Sequence, residues 1–446
     1  MGILFGTDGV RGIYEKELTT NLAFKLGQAG AAVLGANSHK PKFVIGMDTR
    51  ISGKALEMSL TQGILSVGGE VILVGVLPTP AIAVITREMN ADAGIVISAS
   101  HNPYEFNGIK FFNGQGFKLS DIIENEIESI ILENKEVHLK SGGTTRNLEN
   151  PEDYYLKHIK KAITGDLKGM KVVIDCANGA SYDIAQGFFE ELGADVVMIG
   201  NEPDGKNINK DCGSTNLKLL QERVLQEGAQ IGIAFDGDAD RCLATDNIGN
   251  IIDGDKIMNL IGRKMKTQGT LKKDTVVVTV MSNIGLDVAL KEVGCKSIKT
   301  AVGDRYVLEA MIEGGYSLGG EQSGHLILLE HNTTGDGMLT ALMLLELLRD
   351  EDRDSKTLSE LMTVYPQILV NAKVDNSRKL DYLDDTLIQK RIGEVEAYFQ
   401  GQGRVLIRPS GTEPLVRVMI EGKNQSELAS IAKDLAELIE ERNGAF

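Results

Sequence analysis

The chain has 446 residues, 42% of them hydrophobic and 25% charged, with a net charge of −16. Such a length exceeds what one hydrophobic core supports and implies two to four domains. The acidic balance argues against nucleic acid and anionic membranes as partners, since both need basic surface.

Four cysteines, Cys176, Cys212, Cys242 and Cys295, form no CxxC pair. This fits a reducing compartment and excludes a cysteine zinc site on spacing. The opening stretch MGILFGTDGVRG has no basic n-region and turns polar at Thr7-Asp8, unlike a signal peptide. No apolar run approaches the ~18 residues of a membrane span. A cytoplasmic soluble protein is expected.

Along the chain, short apolar runs alternate with helical patterns, the signature of βαβ units. KFVIGMDTR, VILVGVL and AGIVIS read as strands, with helices over 55–67 and 80–90. The rhythm restarts at MKVVIDCANG, with a helix near 180–192, the strand DVVMIG, a helix over 215–227 and the strand before DGDADR. It restarts again at DTVVVTVMSN, with helices near 285–293 and 304–313 and one strand around YSLGGEQSGHLILLE. The last ~80 residues differ: a strand at PQILVNAKV, a helix at 386–400, a hairpin at GRVLIRPSGTEPLVRVMIEG and an amphipathic closing helix. The expected fold class is α/β, with three similar α/β domains over 1–150, 151–254 and 255–366 and a small α+β domain over 367–446. Linkers are expected near 140–152 and 350–366, and a hinge near 366–372.

The sharpest chemical signal is DGDADR. Asp236, Asp238 and Asp240 recur at every second position, which in extended backbone puts three carboxylates on one face. Their repulsion calls for a hard divalent cation, and Mg²⁺ is the expected one. A calcium EF-hand would need glycine and glutamate where Arg241 and Asn247 stand, so it fails. SASHNP ends a buried strand with Ser100 and His101, and Lys110 follows ten residues on. An Asn-Pro turn would explain it; so would a serine that carries a phosphoryl group beside a base and a metal. RPSGTEPLVRV places Arg408, Ser410, Gly411 and Thr412 in a tight turn with Arg417 on the next strand, donors that suit a phosphate dianion. GGEQSGH offers Glu321, Ser323 and His325 on alternate positions for hydroxyl recognition, and FGTDGVRG offers Arg11 between glycines. His39, His138 and His158 read as surface residues. Together these loops describe phosphoryl transfer on a phosphorylated polyol in a cleft between domains.

In order along nearly the whole chain, FGTDGVRG, SASHNP with NGIK, DGDADR, GEQSGH and RPSGTEPLVRV resemble the motifs of the α-D-phosphohexomutase superfamily. NINKDCGST (207–215) and NTTGDG (332–337) look like its glucosamine branch. Where many relatives have DGDGDR this chain has Ala239, which leaves the three aspartates intact. The resemblance implies mixed sheets in the three α/β domains and a fourth of the TATA-box-binding-protein-like class. It implies Ser100 as a phosphoserine, with one Mg²⁺ per chain held by Ser100, Asp236, Asp238 and Asp240. Arg241, Glu321, Ser323, Arg408, Ser410, Gly411, Thr412 and Arg417 would bind the sugar phosphate. Arg11, His101, Lys110 and His325 would line the reaction centre, with the general base left open among them.

The reaction so implied interconverts glucosamine 6-phosphate and glucosamine 1-phosphate through glucosamine 1,6-bisphosphate, feeding UDP-N-acetylglucosamine and cell-wall synthesis. It needs neither nucleic acid nor membrane and leaves room for a homodimer. The competing expectations are a phosphomannomutase/phosphoglucomutase and an Mg²⁺-dependent sugar phosphatase.

Overall fold

A computed structural model describes residues 3–6, 8–36, 40–351, 353–410 and 413–444. Thr7, His39, Gly411 and Thr412 lie outside the described residues. The chain divides into two compact units, one of residues 1–281 and 295–361, the other of 282–294 and 362–446.

The first unit holds three sheets. β1 (Val10–Ile13), β2 (Lys42–Met47), β3 (Glu70–Val76), β4 (Ala93–Ile97), β5 (Phe106–Asn113) and β6 (Thr144–Asn147) are ordered β1-β5-β4-β2-β3-β6. β7 (Lys171–Asp175), β8 (Asp195–Ile199), β9 (Ile231–Phe235), β10 (Cys242–Asp246) and β11 (Ile251–Ile252) are ordered β11-β10-β9-β7-β8. β12 (Thr275–Thr279), β13 (Lys296–Thr300), β14 (Leu318–Gly320) and β15 (Leu326–Leu328) are ordered β13-β12-β14-β15.

One plan recurs three times. A central strand (β2, β7 or β12) is flanked by two parallel neighbours, and the second of these turns back into an antiparallel strand. The sheets are therefore mixed, as expected. The likeness extends to local chemistry at the end of each central strand. Asp48 accepts the N–H of Arg50, Asp175 that of Ala177, and Thr279 that of Met281, each a side-chain turn spanning two residues.

β4 and β9 are buried at every position, as strands covered on both faces must be. The helices Thr20–Leu34 and Gly53–Ser66 cross closely beside the first sheet. A Cβ on Gly27 would meet the Leu60 carbonyl at 2.3 Å, and one on Gly63 the Phe24 carbonyl at 2.1 Å. Larger residues at either crossing would force the helices apart.

The structure corrects several expectations. Residues 140–152 are not a plain linker: β6 pairs with β3 as an edge strand, and a helix begins at Pro151. The stretch around GGEQSGH is two strands, β14 and β15, because Glu321–Gly324 forms a hydrogen-bonded turn between them. His158 is half-buried, with its Nε2 2.6 Å from the His331 carbonyl.

The second unit carries β16 (Gln367–Lys373), β17 (Arg404–Pro409) and β18 (Leu415–Glu421) in the order β16-β18-β17, antiparallel throughout. The closing helix Gln425–Asn443 buries Leu428, Ala432, Leu435 and Ile439 against them, at the spacing of one helical face. The segment given as a hinge, 366–372, lies almost wholly in β16, which is paired with β18 along its length. The helix Ile284–Glu292, between β12 and β13 in sequence, belongs to this unit. There Asn283 accepts the Tyr365 N–H and donates to its carbonyl. Among the described residues no helix is long and apolar enough to cross a membrane.

Candidate functional site

The threefold plan places three sequence motifs at equivalent positions, the turn from the last parallel strand into the antiparallel one. β4 delivers Ser100 and His101, β9 delivers Asp236–Arg241, and β14 delivers Glu321–His325. In the first unit these turns meet.

Ser100 is buried, and its Oγ donates to Asp236 Oδ2 at 2.6 Å. The three carboxylates converge with ligand atoms all within 4.8 Å of one another. They do so in a tight turn rather than in extended backbone: the Ala239 N–H returns to the Asp236 carbonyl and Ala239 has φ +53°. The spacing was informative, but strand alternation was not its cause.

Asp236 is contacted at hydrogen-bond distance on both oxygens, Asp238 and Asp240 on one. Asp236 also accepts the Arg241 N–H at 3.2 Å. Asp238 Oδ2 accepts from Lys110 Nζ at 2.8 Å and from Thr79 Oγ1 at 2.6 Å. Asp240 Oδ2 lies 3.4 Å from His325 Nδ1. The other oxygens of Asp238 and Asp240 are buried with no hydrogen-bond partner. Orphaned, all-oxygen donors of this kind fit a hard divalent cation of the Mg²⁺ class. Burial and the neighbouring Asp240 and Asp238 push Asp236 up to about 8. Burial also works against charge on Asp240, yet His325, Lys110 and Arg241 hold it well below the usual carboxylate range.

Lys110 is buried and also contacts Asp8 Oδ2 at 2.9 Å. Despite burial, Asp238 and Asp8 raise its pKa, so the ammonium persists. His101 lies with Nδ1 3.3 Å from Ser100 Oγ. Desolvation, then Arg241 and Arg11, push it down to about 4, leaving a neutral imidazole at pH 7. His325 is pulled two ways. Against the cost of burial, Asp240 and Asp304 raise its pKa. Yet the Gly335 N–H donates to Nε2 at 3.1 Å, which leaves the ring proton on Nδ1 and opposes a second one. Arg11 pairs with Asp8 and reaches Asn102 Oδ1 at 3.4 Å. Nε of both Arg11 and Arg241 is buried without a hydrogen-bond partner.

A cavity of about 470 Å³ opens over these groups, lined by Arg11, His101, Arg241, Asp304, Glu321 and His325 among others. Glu321 accepts the Gly303 N–H at 3.2 Å, and Ser323 Oγ is buried without a partner.

Arg408, Ser410 and Arg417 belong to the second unit. Arg408 and Arg417 are register partners on β17 and β18, so two like charges face each other across the ladder. Ser410 N–H donates to the Leu415 carbonyl and its Oγ accepts from Glu413 N–H, closing the turn. A bound anion would offset that repulsion. Gly411 and Thr412 lie outside the described residues.

Sequence reasoning missed a half-buried bridge: Lys118 binds Asp8 at 2.5 Å and also Asp304, joining the first and third repeats. Lys118 sits in an unremarkable GFKLS, and Asp304 reads as an acidic first-turn residue of its helix. NTTGDG proves structural. Asp336 caps the following helix and accepts the Tyr155 hydroxyl, and Gly335 cradles His325.

Family models match along the chain in four consecutive parts. Phosphoglucomutase/phosphomannomutase domain I covers residues 2–138, domain II 153–249, domain III 253–368 and the C-terminal domain 369–438. A phosphoglucosamine mutase of Acetivibrio thermocellus is 58% identical over 100% of both chains, and one of Clostridium novyi 56% identical over the same span. A phosphoglucomutase/phosphomannomutase family protein of Burkholderia thailandensis, solved by X-ray crystallography, aligns with TM-score 0.81 at 25% identity, covering 98% of this chain and 97% of its own. The Aspergillus fumigatus N-acetylphosphoglucosamine mutase, solved with GlcNAc-6P and magnesium, shares the fold at TM-score 0.70 and 16% identity, covering 99% and 96%. A shared order of four domains, high identity over the full length and the convergence of the three motif turns agree: the chain belongs to the phosphoglucosamine mutases of the α-D-phosphohexomutase superfamily.

Proposed function

We propose that this chain interconverts glucosamine 6-phosphate and glucosamine 1-phosphate, with Ser100 carrying the phosphoryl group between them. The observation that carries this reading is the Ser100 hydroxyl held 2.6 Å from one carboxylate of a buried three-aspartate cage.

A hydroxyl so placed can give up and regain a phosphoryl group, provided the charge is met. Lys110, Arg11 and Arg241 supply fixed cations around the aspartate cage. Asp236, Asp238 and Asp240, with Ser100, would hold one Mg²⁺, which when bound neutralises charge on the transferring group. In the forward direction O1 of the sugar attacks phosphorus, the bond from phosphorus to Ser100 Oγ breaks, and the O1 proton passes to a base. The base returns that proton to Ser100 Oγ as the serine oxygen leaves. The resulting 1,6-bisphosphate turns about, Ser100 Oγ attacks the 6-phosphorus, the bond from that phosphorus to O6 breaks, and O6 leaves with the proton that the serine gives up. Neutral His101 is the ring closest to Oγ and takes the serine proton in that step. Glu321 and Ser323 bind sugar hydroxyls. Arg408, Ser410, Gly411, Thr412 and Arg417 take the phosphate that is not reacting. Most of the acceleration comes from positioning and charge neutralisation, because the transition state is loose.

A coupled assay that forms glucosamine 1-phosphate from glucosamine 6-phosphate tests this directly. Phosphate release without isomer formation would favour hydrolysis instead. Faster turnover of glucose or mannose phosphates would favour the phosphoglucomutase/phosphomannomutase specificity.

A further inference from the structure

Ser100 has φ +52°, a left-handed backbone that a non-glycine residue keeps only when its surroundings enforce it. The enforcing group is a cation beneath the loop. Arg50, three residues past β2, has a fully buried side chain. Its Nε donates to Asp48 Oδ2 at 2.9 Å. Its Nη1 donates to the carbonyls of Pro103 and Phe106 at 2.5 and 3.1 Å. Its Nη2 donates to those of Ser100 and Asn102 at 2.9 and 2.8 Å. All five N–H groups of a guanidinium are thereby used within the chain, and none is left for a ligand.

Asp48 closes the circuit. Its Oδ2 accepts the Ser98 hydroxyl at 2.6 Å, and Ser98 Oγ accepts the Ser100 N–H at 2.9 Å. Both the N–H and the carbonyl of Ser100 therefore lead back to the Asp48–Arg50 pair. A second donor comes from the NINKDCGST loop of the second repeat. Asn209 Nδ2 reaches the carbonyls of Ser100 and Asn102 at 2.9 and 3.2 Å. The space between is tight: a Cβ on Gly237 would meet the Ser100 carbonyl at 2.6 Å.

We propose that Arg50, seated on Asp48 and assisted by Asn209, is a positioning residue for phosphoryl transfer, a template around which the loop 98–106 is wound so that Ser100 Oγ meets the aspartate cage. This rests on the reading of Ser100 as the phosphoryl carrier. It assigns Arg50 no contact with the sugar phosphate. A lysine cannot reproduce it, because three donors on a single nitrogen cannot fork to four carbonyls and a carboxylate.

The test uses the full-length enzyme with Mg²⁺, comparing wild type with Arg50→Lys and Asn209→Gly. Glycine keeps the left-handed backbone (φ +60°) at 209 without the side chain. Misplacing the nucleophile by about an ångström should lower kcat about 10²-fold in Arg50→Lys, with KM for glucosamine 6-phosphate within about twofold. Amide hydrogen exchange should quicken in 98–106 and stay unchanged in the C-terminal unit. Unchanged kcat, or a parallel rise in KM with faster exchange throughout the chain, would overturn the proposal.

Should Arg50→Lys fail to fold, Asn209→Gly decides. A kcat about tenfold lower with KM held and local exchange faster supports the template; wild-type kcat overturns it. If wild-type enzyme neither carries phosphate on Ser100 nor forms isomer, the functional reading falls instead. The exchange arm then still reports whether Arg50 orders the loop.

Discussion

The Ser100 hydroxyl and the Asp236 carboxylate, 136 positions apart in sequence, lie 2.6 Å apart at the turns of two structurally equivalent repeats. A chain that repeats one fold three times brings its equivalent loops into a common region, and each loop supplies a different chemistry. Replacing Ser100 by alanine tests that division of labour. Turnover should fall by at least about 10³-fold, as when other covalent nucleophiles are removed. The apparent melting temperature should change little, since one hydroxyl is lost. The measurement is a coupled isomerase assay beside a thermal melt.

The cage should reveal its cation through stability. Mg²⁺ binding only the folded state raises the melting temperature with concentration. Asp236→Asn should abolish most of that rise, because one of three charged ligands becomes neutral. A Mg²⁺-dependent shift equal to wild type in this variant would remove the triad as the binding site.

Lys110 is the internal counter-ion, buried between Asp8 and Asp238. Lys110→Met would strand buried Asp238 without its cation, while Asp8 keeps Arg11 and Lys118. We expect a loss of about 3–5 kcal/mol in chemical denaturation, the usual cost of breaking a buried pair from one side. A loss below about 1 kcal/mol would mean the pair is much better solvated than its burial implies.

Asp175, which is not one of the cage carboxylates, gives a pH test. Burial pushes it up to about 6, although the N–H groups of Gly213 and Ala177 favour its charge. An acid raised on folding contributes stability that is complete below its ordinary value of 3.8 and is lost as pH rises through 6. The amount at stake is about 3 kcal/mol. The stability of wild type minus that of Asp175→Asn should therefore fall by about that amount between pH 4 and 6.5. A constant difference in urea midpoints across that range would contradict this.

Arg417→Ala should raise KM for glucosamine 6-phosphate about 10- to 100-fold, the worth of one charged hydrogen bond to phosphate. Stability should hold or improve slightly, since Arg408 loses a like-charged cross-strand neighbour. An unchanged KM would remove Arg417 from the phosphate site.

Much of this was legible from residues. The alternation of apolar runs and helical patterns showed three α/β repeats, because central strands buried on both faces read as continuous Val/Ile segments. Ser100 and the aspartates stood out because polar residues directly follow such runs. Strand alternation does not explain the aspartate spacing: residues 236–240 turn rather than extend, and sequence carries little sign of a left-handed alanine. Arg50, Lys118 and Asp304 were not legible as partners. Each looks ordinary in its own window, and its role exists only through groups brought near by folding. In the same way β6 hid in a polar stretch, since an exposed edge strand needs no apolar face.

The central claim is a phosphoryl group carried on residue 100, and mass spectrometry reads it most directly. Wild-type enzyme incubated with glucosamine 1,6-bisphosphate and Mg²⁺ should gain the mass of one phosphoryl group, mapped by peptide fragmentation to Ser100. Ser100→Ala under the same conditions should gain none. Isomer formation at the wild-type rate by a protein that never carries that group would contradict the account.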